Sequence, residues 1–249
     1  MEQDRPFILT IAGFDPSGGA GLLADCKTFE QHKVYGQAVC TSITFQNENE
    51  FEGLRWVPAE EILQQIELLS RKRSFEWVKI GLIQNLEVLE IVIQLLLKIN
   101  PACKIVWDPI LKASVGFEFH TVLDLSRLQT ILRKITLVTP NQIEILSMSA
   151  AKESAEAAKQ LASYCAVLLK GGHALSAKAI DQLFFQQEVF SIVNERVSMD
   201  KHGTGCVLSA AILSNLANGM SLLEACTQAK DYISRYIQSH NSLLGFHYA

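Results

Sequence analysis

The sequence predicts an α/β fold with a mostly parallel central sheet, antiparallel edge strands and a single domain over residues 1–249. Short apolar runs alternate with helical segments of about 10 to 15 residues, which is typical of βαβ units. Only six prolines occur among the 249 residues, and none joins glycine or serine in a linker-like tract. Alternating apolar side chains over residues 179–197 break this rhythm and indicate antiparallel edge strands.

The first half of the chain is predicted to contain three strand–helix units. Pro58 opens the second helix, in the first turn, where a missing N–H costs nothing. Asn100-Pro101 ends the third helix. The predicted strands cover residues 7–13, 38–45 and 77–80, and the predicted helices cover residues 20–34, 58–70 and 86–99.

Three short buried strands follow, and each stops at proline or glycine. The strand over residues 103–107 stops at Asp108-Pro109, that over 135–138 at Thr139-Pro140, and that over 166–169 at Gly171-Gly172. A helix is predicted to start after Pro140. Two further helices are predicted, over residues 205–217 and 221–239.

Composition and charge exclude several classes of function. The net charge is −4, so the chain lacks the basic footprint of a nucleic-acid-binding protein. The most apolar stretch, residues 86–99, contains four polar side chains and is too short to span a bilayer. The N-terminus has no secretory signal pattern, and the six cysteines form no Cys-x-x-Cys pair. We therefore expect a cytoplasmic protein without a membrane partner.

The unusual residues of this sequence stand at the predicted strand ends. In open parallel sheets, ligands bind outside the carboxyl ends of the strands. Six strand ends with polar or glycine-rich residues therefore predict one assembled site, and they comprise residues 13–21, 46–47, 81, 108–109, 139–141 and 170–173.

The first of these segments, residues 12–21, is rich in glycine. It matches neither the dinucleotide-binding fingerprint nor a Walker-type phosphate loop, and a tight strand–helix turn explains it equally well. Asp25 follows among apolar neighbours, where a buried carboxylate needs a partner. That requirement favours a functional interpretation of the segment.

A second segment, residues 201–211, places Gly203-Thr204-Gly205 at the start of an apolar helix. The unpaired N–H groups of a helix start can bind an anion. Cys206 lies in the first turn, where the helix dipole is expected to lower the pKa of its thiol. This cysteine is either a reactive group or a small core residue.

A third segment contains Asn141 and Glu144, which share one face of the helix predicted after Pro140. This spacing is an ordinary capping pattern, so a structural role is the first interpretation. Asp108 and Lys170, each at a strand end, are equally ambiguous.

Taken together, these motifs resemble the ribokinase-like superfamily and, within it, the hydroxymethylpyrimidine/phosphomethylpyrimidine kinases of thiamin biosynthesis. The resemblance covers nearly the whole chain, and its first and last motifs are the most specific. It is carried by residues 12–29, Lys79-Ile80-Gly81, Asp108-Pro109, residues 139–141 with Glu144, residues 170–173 and residues 202–211.

The resemblance implies a three-layer α/β/α kinase and the following site. The enzyme would transfer the γ-phosphoryl group of ATP, with Mg²⁺, to 4-amino-5-hydroxymethyl-2-methylpyrimidine and then to its monophosphate, and it would form a homodimer. The implied substrate-binding residues are Gly13, Asp25, Gln46, Leu82 and Ile110. The implied anion hole is formed by Gly203, Thr204 and Gly205, with Cys206 as the base. The implied ATP-binding residues are Asn141, Glu144, Lys170 and Gly172, and the implied metal ligands are Asp108 and Glu144.

Some positions depart from the commonest pattern of the resembled family, and other functions stay open. Gln46 stands where some members have Glu, Leu82 where Met is frequent, and Lys201 where Thr is common. Lys201 either holds a phosphate or is solvated, and residues 111–116, including Lys112, resemble a flap. The alternatives are a pyridoxal kinase (or a dual pyrimidine/pyridoxal kinase), a pyrimidine-binding sensor, and a hydrolase with Cys206 as nucleophile.

Overall fold

The computed structural model describes residues 4–110, 123–171 and 178–248. Its strands form one sheet in the order β3-β2-β1-β4-β5-β6-β7-β8-β9. The strands are β1 (Phe7–Phe14), β2 (Tyr35–Gln46), β3 (Phe51–Trp56), β4 (Trp77–Ile80), β5 (Lys104–Trp107), β6 (Leu137–Val138), β7 (Ala166–Leu169), β8 (Lys178–Phe185) and β9 (Glu188–Glu195).

Helices cover both faces of this sheet. On one face, α1, α7 and α8 pack with apolar residues of the strands, and α2, α3, α4 and α6 form the second core on the other face. The helices are α1 (Gly21–Gln31), α2 (Ala59–Ser70), α3 (Leu86–Ile99), α4 (Leu125–Leu132), α5 (Gln142–Ser147), α6 (Ser154–Leu161), α7 (Thr204–Ala217) and α8 (Leu222–Gln238). The architecture is therefore three-layered.

Strand direction confirms the predicted mixed sheet. Strands β2, β1, β4, β5, β6 and β7 pair in parallel, whereas β3 and the β8–β9 hairpin pair antiparallel at the two edges. The chain leaves β1 toward β2 on one side and later returns to β4 on its other side. The crevice between the carboxyl ends of β1 and β4 is the topological switch point, where such sheets bind ligands.

Most predicted elements agree with the structure, and three were not predicted. Strands β4 and β7 and helix α3 have the predicted bounds, and residues 179–197 do form edge strands. The unpredicted elements are β3, α4 and α6. Strand β3 pairs at the edge beyond β2 and has no fully buried residue, so its sequence carries little hydrophobic signal. The predicted flap with Lys112, and Gly172, lie outside the described residues.

Helix α7 runs through the interior beside the start of the site. Eleven of its residues, from Cys206 to Leu216, are buried. A helix that is apolar on every side is stable only when protein surrounds it. This burial fixes the first turn of α7 against α1 and β4. No helix within the described ranges is long and apolar enough to cross a bilayer.

Candidate active site

Three of the residues predicted to contact substrate meet at the switch point. A β-carbon at Gly13 would lie 2.6 Å from Ser42 Oγ and 3.2 Å from Leu82 Cδ2. A β-carbon at Gly81 would lie 3.9 Å from Ile110 Cδ1. Leu82 and Ile110 thus border the ends of β1 and β4, and a β-carbon at Gly13 would force the Ser42 hydroxyl to move. Gln46 is the last residue of β2, the strand on the other side of β1, and it is half-buried.

Asp25 is held inside the protein rather than at the crevice surface. Its carboxylate accepts two hydrogen bonds from Lys79 Nζ, at 2.7 and 2.8 Å, and one from Thr10 Oγ1 at 2.6 Å. All three residues are fully buried. The partner that a buried Asp25 requires is therefore Lys79, and as the side chain stands no ligand can reach the carboxylate.

Lys79 is the centre of a buried charge cluster. Burial disfavours its ammonium charge, but the carboxylates of Asp25 and Asp108 outweigh that effect and raise the pKa of Lys79. Lysine is tolerated in the interior only when its charge is paired in this way. No role was predicted for Lys79 from the sequence, although it belongs to the Lys79-Ile80-Gly81 motif. A charged residue within the buried Trp77–Ile80 strand was the available signal, and Asp25 was its natural partner.

The glycine-rich loop after β1 is joined to the segment that leads into α7 and includes its first two residues, which we call the anion loop (residues 201–205). Asp15 accepts hydrogen bonds from the backbone N–H groups of Ser17 and Ala20, both at 2.9 Å. It also accepts a hydrogen bond from Ser17 Oγ and lies in hydrogen-bond contact with His202 Nε2, both at 2.9 Å. Burial opposes ionisation of Asp15, but His202 and Ser17 outweigh it and lower the pKa of this carboxyl. This pair was not predicted, because the two residues are 187 positions apart.

Gly203 has the left-handed conformation, with φ of 75°, and α7 begins at the next residue. A β-carbon at Gly203 would lie 2.0 Å from the carbonyl oxygen of Gly19. Only glycine fits this contact, because a β-carbon cannot approach an oxygen that closely. The backbone N–H groups at the start of α7 have no intrahelical partner and are free to bind an anion.

Asp108 and Lys170 stand directly beside the anion loop. Lys170 Nζ donates to Asp108 Oδ1 at 2.8 Å, and Thr139 Oγ1 donates to the same oxygen at 3.0 Å. A β-carbon at Gly205 would lie 3.4 Å from Lys170 Nζ and 3.5 Å from Asp108 Oδ2. A cation, a carboxylate and a row of backbone N–H groups therefore meet at one point.

The electrostatics of this group depend on Lys170. Burial disfavours the charge of Asp108, but Lys170 and Lys79 outweigh it and lower the pKa of that carboxyl. Burial likewise opposes the charge of Lys170, and Asp108 and Glu144 overcome it and raise the pKa of the ammonium. Asp108 thus stays ionised and Lys170 stays protonated at neutral pH.

Asn141 and Glu144 form the capping box that their spacing indicates. The Asn141 side chain accepts from the N–H groups of Ile143 and Glu144, and Glu144 Oε2 accepts from the N–H of Asn141 at 2.7 Å. Glu144 also lies 3.9 Å from Lys170 Nζ. Burial raises the pKa of Glu144 to about 7, because its cost exceeds the help from Lys170. A structural role is thus observed, and it leaves Glu144 near the Asp108–Lys170 pair.

The expectation of a lowered pKa for Cys206 is wrong. Burial raises the pKa of this thiol to about 11; Lys79 opposes the rise, and Asp25 and Asp108 add to it. Cys206 is 5% exposed in the first turn of α7. A helix dipole is a modest effect, and here the cost of burying a thiolate beside two carboxylates exceeds it. Cys206 is therefore a thiol at neutral pH.

Both expectations for Lys201 are also wrong. The side chain is neither solvated nor directed at a phosphate, because the residue is 8% exposed and its ammonium donates to the backbone carbonyls of His240 and Ser242. Charge and neighbouring residues gave no signal of this contact. Both carbonyls lie about forty positions later in the chain.

A separate cavity lies between α1 and the C-terminal segment. It has a volume of about 600 Å³ and is lined by Cys26, Lys27, Glu30, Gln31, Gly245, Phe246 and His247. None of these lining residues belongs to the anion loop or to the switch point. The cavity is therefore a poor candidate for phosphoryl transfer.

Comparisons with known proteins agree with this geometry. The family model for phosphomethylpyrimidine kinase matches residues 15–248. The hydroxymethylpyrimidine/phosphomethylpyrimidine kinase of Aquifex aeolicus is 34% identical over 245 residues, which cover 94% of this chain and 95% of that protein. The phosphomethylpyrimidine kinase structure from Clostridium difficile has a TM-score of 0.77 at 29% identity, over 93% of this chain and 99% of that one. A pyridoxal kinase from Staphylococcus aureus in complex with AMP-PCP has a TM-score of 0.85 at 26% identity, over 98% and 92%. The predicted fold class and family resemblance are confirmed.

Proposed function

The chain belongs to the phosphomethylpyrimidine kinase family, and from that premise we propose that it phosphorylates 4-amino-5-hydroxymethyl-2-methylpyrimidine with ATP. The monophosphate is then phosphorylated again to the pyrophosphate, which serves thiamin biosynthesis. The observation that carries this proposal is the position of Lys170 and Asp108 at the start of α7. Lys170 Nζ and Asp108 Oδ2 lie 3.4 and 3.5 Å from the point where a β-carbon on Gly205 would be. The protein acts as a cytoplasmic homodimer with one kinase domain.

Phosphoryl transfer asks the protein mainly for position and charge. The transition state is loose, and its charge spreads over the oxygens of the transferred group. Backbone N–H groups of Gly203, Thr204 and Gly205 supply fixed donors for those oxygens, where preorganised donors contribute most. Lys170 adds a positive charge beside them, and Asn141 and Glu144, which adjoin it, belong to the proposed nucleotide site. Gly172 is proposed for the same site and lies outside the described residues.

The pyrimidine ring binds at the switch point between β1 and β4. Gly13, Leu82 and Ile110 offer an apolar crevice for the ring, and Gln46 offers an amide that both donates and accepts. Such an amide matches an aminopyrimidine, which presents a donor and ring-nitrogen acceptors. Asp25 and its partner Lys79 both lie fully buried beneath this crevice, so their ion pair supports the crevice from below rather than contacting the ring.

Mg²⁺ fits the residues beside Lys170. Magnesium is usually bound by one or two carboxylates together with substrate phosphates rather than by a full protein cage. Within the described residues no group of three or more metal-ligating side chains occurs, and Asp108 and Glu144 are the two carboxylates on hand. A bound divalent cation would neutralise phosphate charge there and would favour the ionised form of Glu144, whose pKa burial raises to about 7.

A product assay tests this function directly. Purified protein is incubated with Mg-ATP and either hydroxymethylpyrimidine or pyridoxal, and the products are separated and identified by mass. We expect the pyrimidine monophosphate first and the pyrophosphate later. ADP release without any phosphorylated pyrimidine would overturn the proposal.

Pyridoxal phosphorylation is the second candidate function, and a specific observation favours it. The Staphylococcus aureus pyridoxal kinase has a TM-score of 0.85 to this chain, higher than the 0.77 of the Clostridium difficile phosphomethylpyrimidine kinase. Sequence identity runs the other way, at 26% and 29% respectively. The pyrimidine kinase is preferred because the matching family model and the 34% identical Aquifex aeolicus relative are both described as pyrimidine kinases. The pyridoxal arm of the same assay tests a dual activity.

Cys206 is proposed as the base for the hydroxymethyl proton, and its pKa predicts a pH dependence. Only the thiolate accepts a proton, so with a pKa of about 11 the active fraction grows about tenfold per pH unit through neutral and mildly alkaline pH. We expect kcat to rise between about pH 7 and pH 9 in the natural protein and to lose that rise in Cys206→Ala. The measurement is kcat against pH at saturating ATP and pyrimidine. A flat profile in the natural protein would remove Cys206 as the base.

A further inference from the structure

The C-terminal segment supports the anion loop from behind. We call residues 240–247 the C-terminal strap. The ammonium of Lys201 donates to its His240 and Ser242 carbonyls, the latter at 2.5 Å. One residue further, the backbone N–H of His202 donates to the carbonyl of Leu243 at 2.9 Å. The two residues that precede Gly203 are thus both bonded to the strap.

The strap also contacts the glycine-rich loop. A β-carbon at Gly19 would lie 2.8 Å from Leu244 Cδ2 and 2.7 Å from His202 Cδ2. Because Asp15 bonds His202, the strap, the glycine-rich loop and the anion loop form one packed unit. The strap therefore packs against Gly19, whose carbonyl in turn packs against Gly203.

The far end of the strap is anchored on α8. The backbone N–H of Phe246 donates to Ser239 Oγ at 2.7 Å, and His247 Nδ1 lies 3.0 Å from the hydroxyl of Tyr232. A β-carbon at Gly245 would lie 2.6 Å from the Tyr236 ring, so the strap crosses α8 where only glycine fits. Lys201 and Gly245 therefore secure the strap at two independent points.

We propose that Lys201 is a positioning residue, which ties the C-terminal strap to the anion loop and so holds the N–H groups of Gly203 to Gly205 in the orientation that phosphoryl transfer requires. The proposal rests on the proposed kinase function. Lys201 itself contacts two backbone carbonyls of the strap, so it acts through the loop rather than on a phosphate. Preorganised donors lose their effect when their orientation is loosened, which lowers the rate of transfer more than the binding of nucleotide.

The first test replaces Lys201 with methionine, which keeps the length of the side chain and removes its donors. We expect kcat to fall by about tenfold to a hundredfold, with the KM for ATP within about threefold of the natural value. Amide hydrogen exchange of a peptide containing His202 is expected to accelerate, since its bond to Leu243 loosens. Lys104→Met is the matched control. Lys104 is an exposed lysine at the start of β5, away from the site, and is paired with Glu76. We expect this variant to leave kcat, the KM for ATP and the exchange at His202 unchanged.

A second variant disturbs the strap without touching Lys201. Gly245→Ala pushes the strap off Tyr236, and we expect the same fall in kcat and the same faster exchange at His202. Unchanged kcat in either variant, or a loss of kcat with unchanged exchange at His202, would overturn the proposal. Hydrogen exchange needs no substrate and therefore separates the two proposals. If both variants exchange faster at His202 than the natural protein, but the natural protein phosphorylates no pyrimidine, the proposed function is overturned instead.

Discussion

Replacing Lys79 with methionine is expected to lower the free energy of unfolding by about 3–5 kcal/mol. The change leaves the Asp25 carboxylate fully buried with Thr10 as its remaining hydrogen-bond donor. An uncompensated buried charge is strongly destabilising, and the protein can relieve it only by protonating Asp25 or admitting water. Denaturant unfolding of the natural protein and of Lys79→Met measures the difference.

A double variant and an exposed pair serve as controls for this prediction. Lys79→Met combined with Asp25→Asn removes both charges, and we expect it to recover most of the lost stability because no unpaired charge remains. Lys104→Met breaks the exposed pair with Glu76 and is expected to cost less than about 1 kcal/mol. A double variant no more stable than Lys79→Met would show that the pair stabilises the fold by something other than charge compensation.

Replacing Gly203 with alanine is expected to lower kcat by about 10²–10³-fold. Alanine is strained in the left-handed backbone at φ of 75°, and its β-carbon would lie 2.0 Å from the carbonyl oxygen of Gly19. The anion loop must move to relieve this contact, so its N–H groups lose their alignment. Steady-state kinetics with Mg-ATP and hydroxymethylpyrimidine check the effect, alongside the melting temperature.

Gly219 is the matched control for Gly203. It also has a positive φ, of 90°, but a β-carbon there meets nothing within 4 Å. Gly219→Ala therefore introduces a similar backbone strain without the steric contact, and we expect a small loss of stability with kcat unchanged. Equal kcat values for the two variants would contradict the importance of the Gly203–Gly19 contact.

The elements with strong hydrophobic patterns could be predicted from the sequence, and the weak ones could not. Helix α3 and strands β4 and β7 are rich in buried apolar residues, and their bounds agree with the prediction. Helices α4 and α6 contain eight residues each and bury three, so their periodic signal is short. These short helices are stabilised by packing, α4 against α3 and α6 against β7, rather than by their own sequences.

The candidate site shows which chemical inferences need the tertiary structure. Glycine and polar residues at the strand ends were sufficient to predict that Gly13, Asp108 and Lys170 lie together at the carboxyl ends of the parallel strands. The state of Cys206 was not predictable, because a local rule about helix starts ignores the burial and the two carboxylates that the fold supplies. Likewise, the ammonium of Lys201 bonds to carbonyls about forty positions later in the chain, so its role emerges only once the fold brings them together.

A crystal structure of the full chain with AMP-PCP, Mg²⁺ and hydroxymethylpyrimidine tests the proposed site most directly. We expect the terminal phosphate against the N–H groups of Gly203 to Gly205 and beside Lys170, with the ring between Gly13 and Leu82 and its hydroxymethyl group facing Cys206. Nucleotide bound elsewhere, such as the cavity between α1 and the C-terminal strap, or a ring bound away from the β1–β4 crevice, would contradict this arrangement.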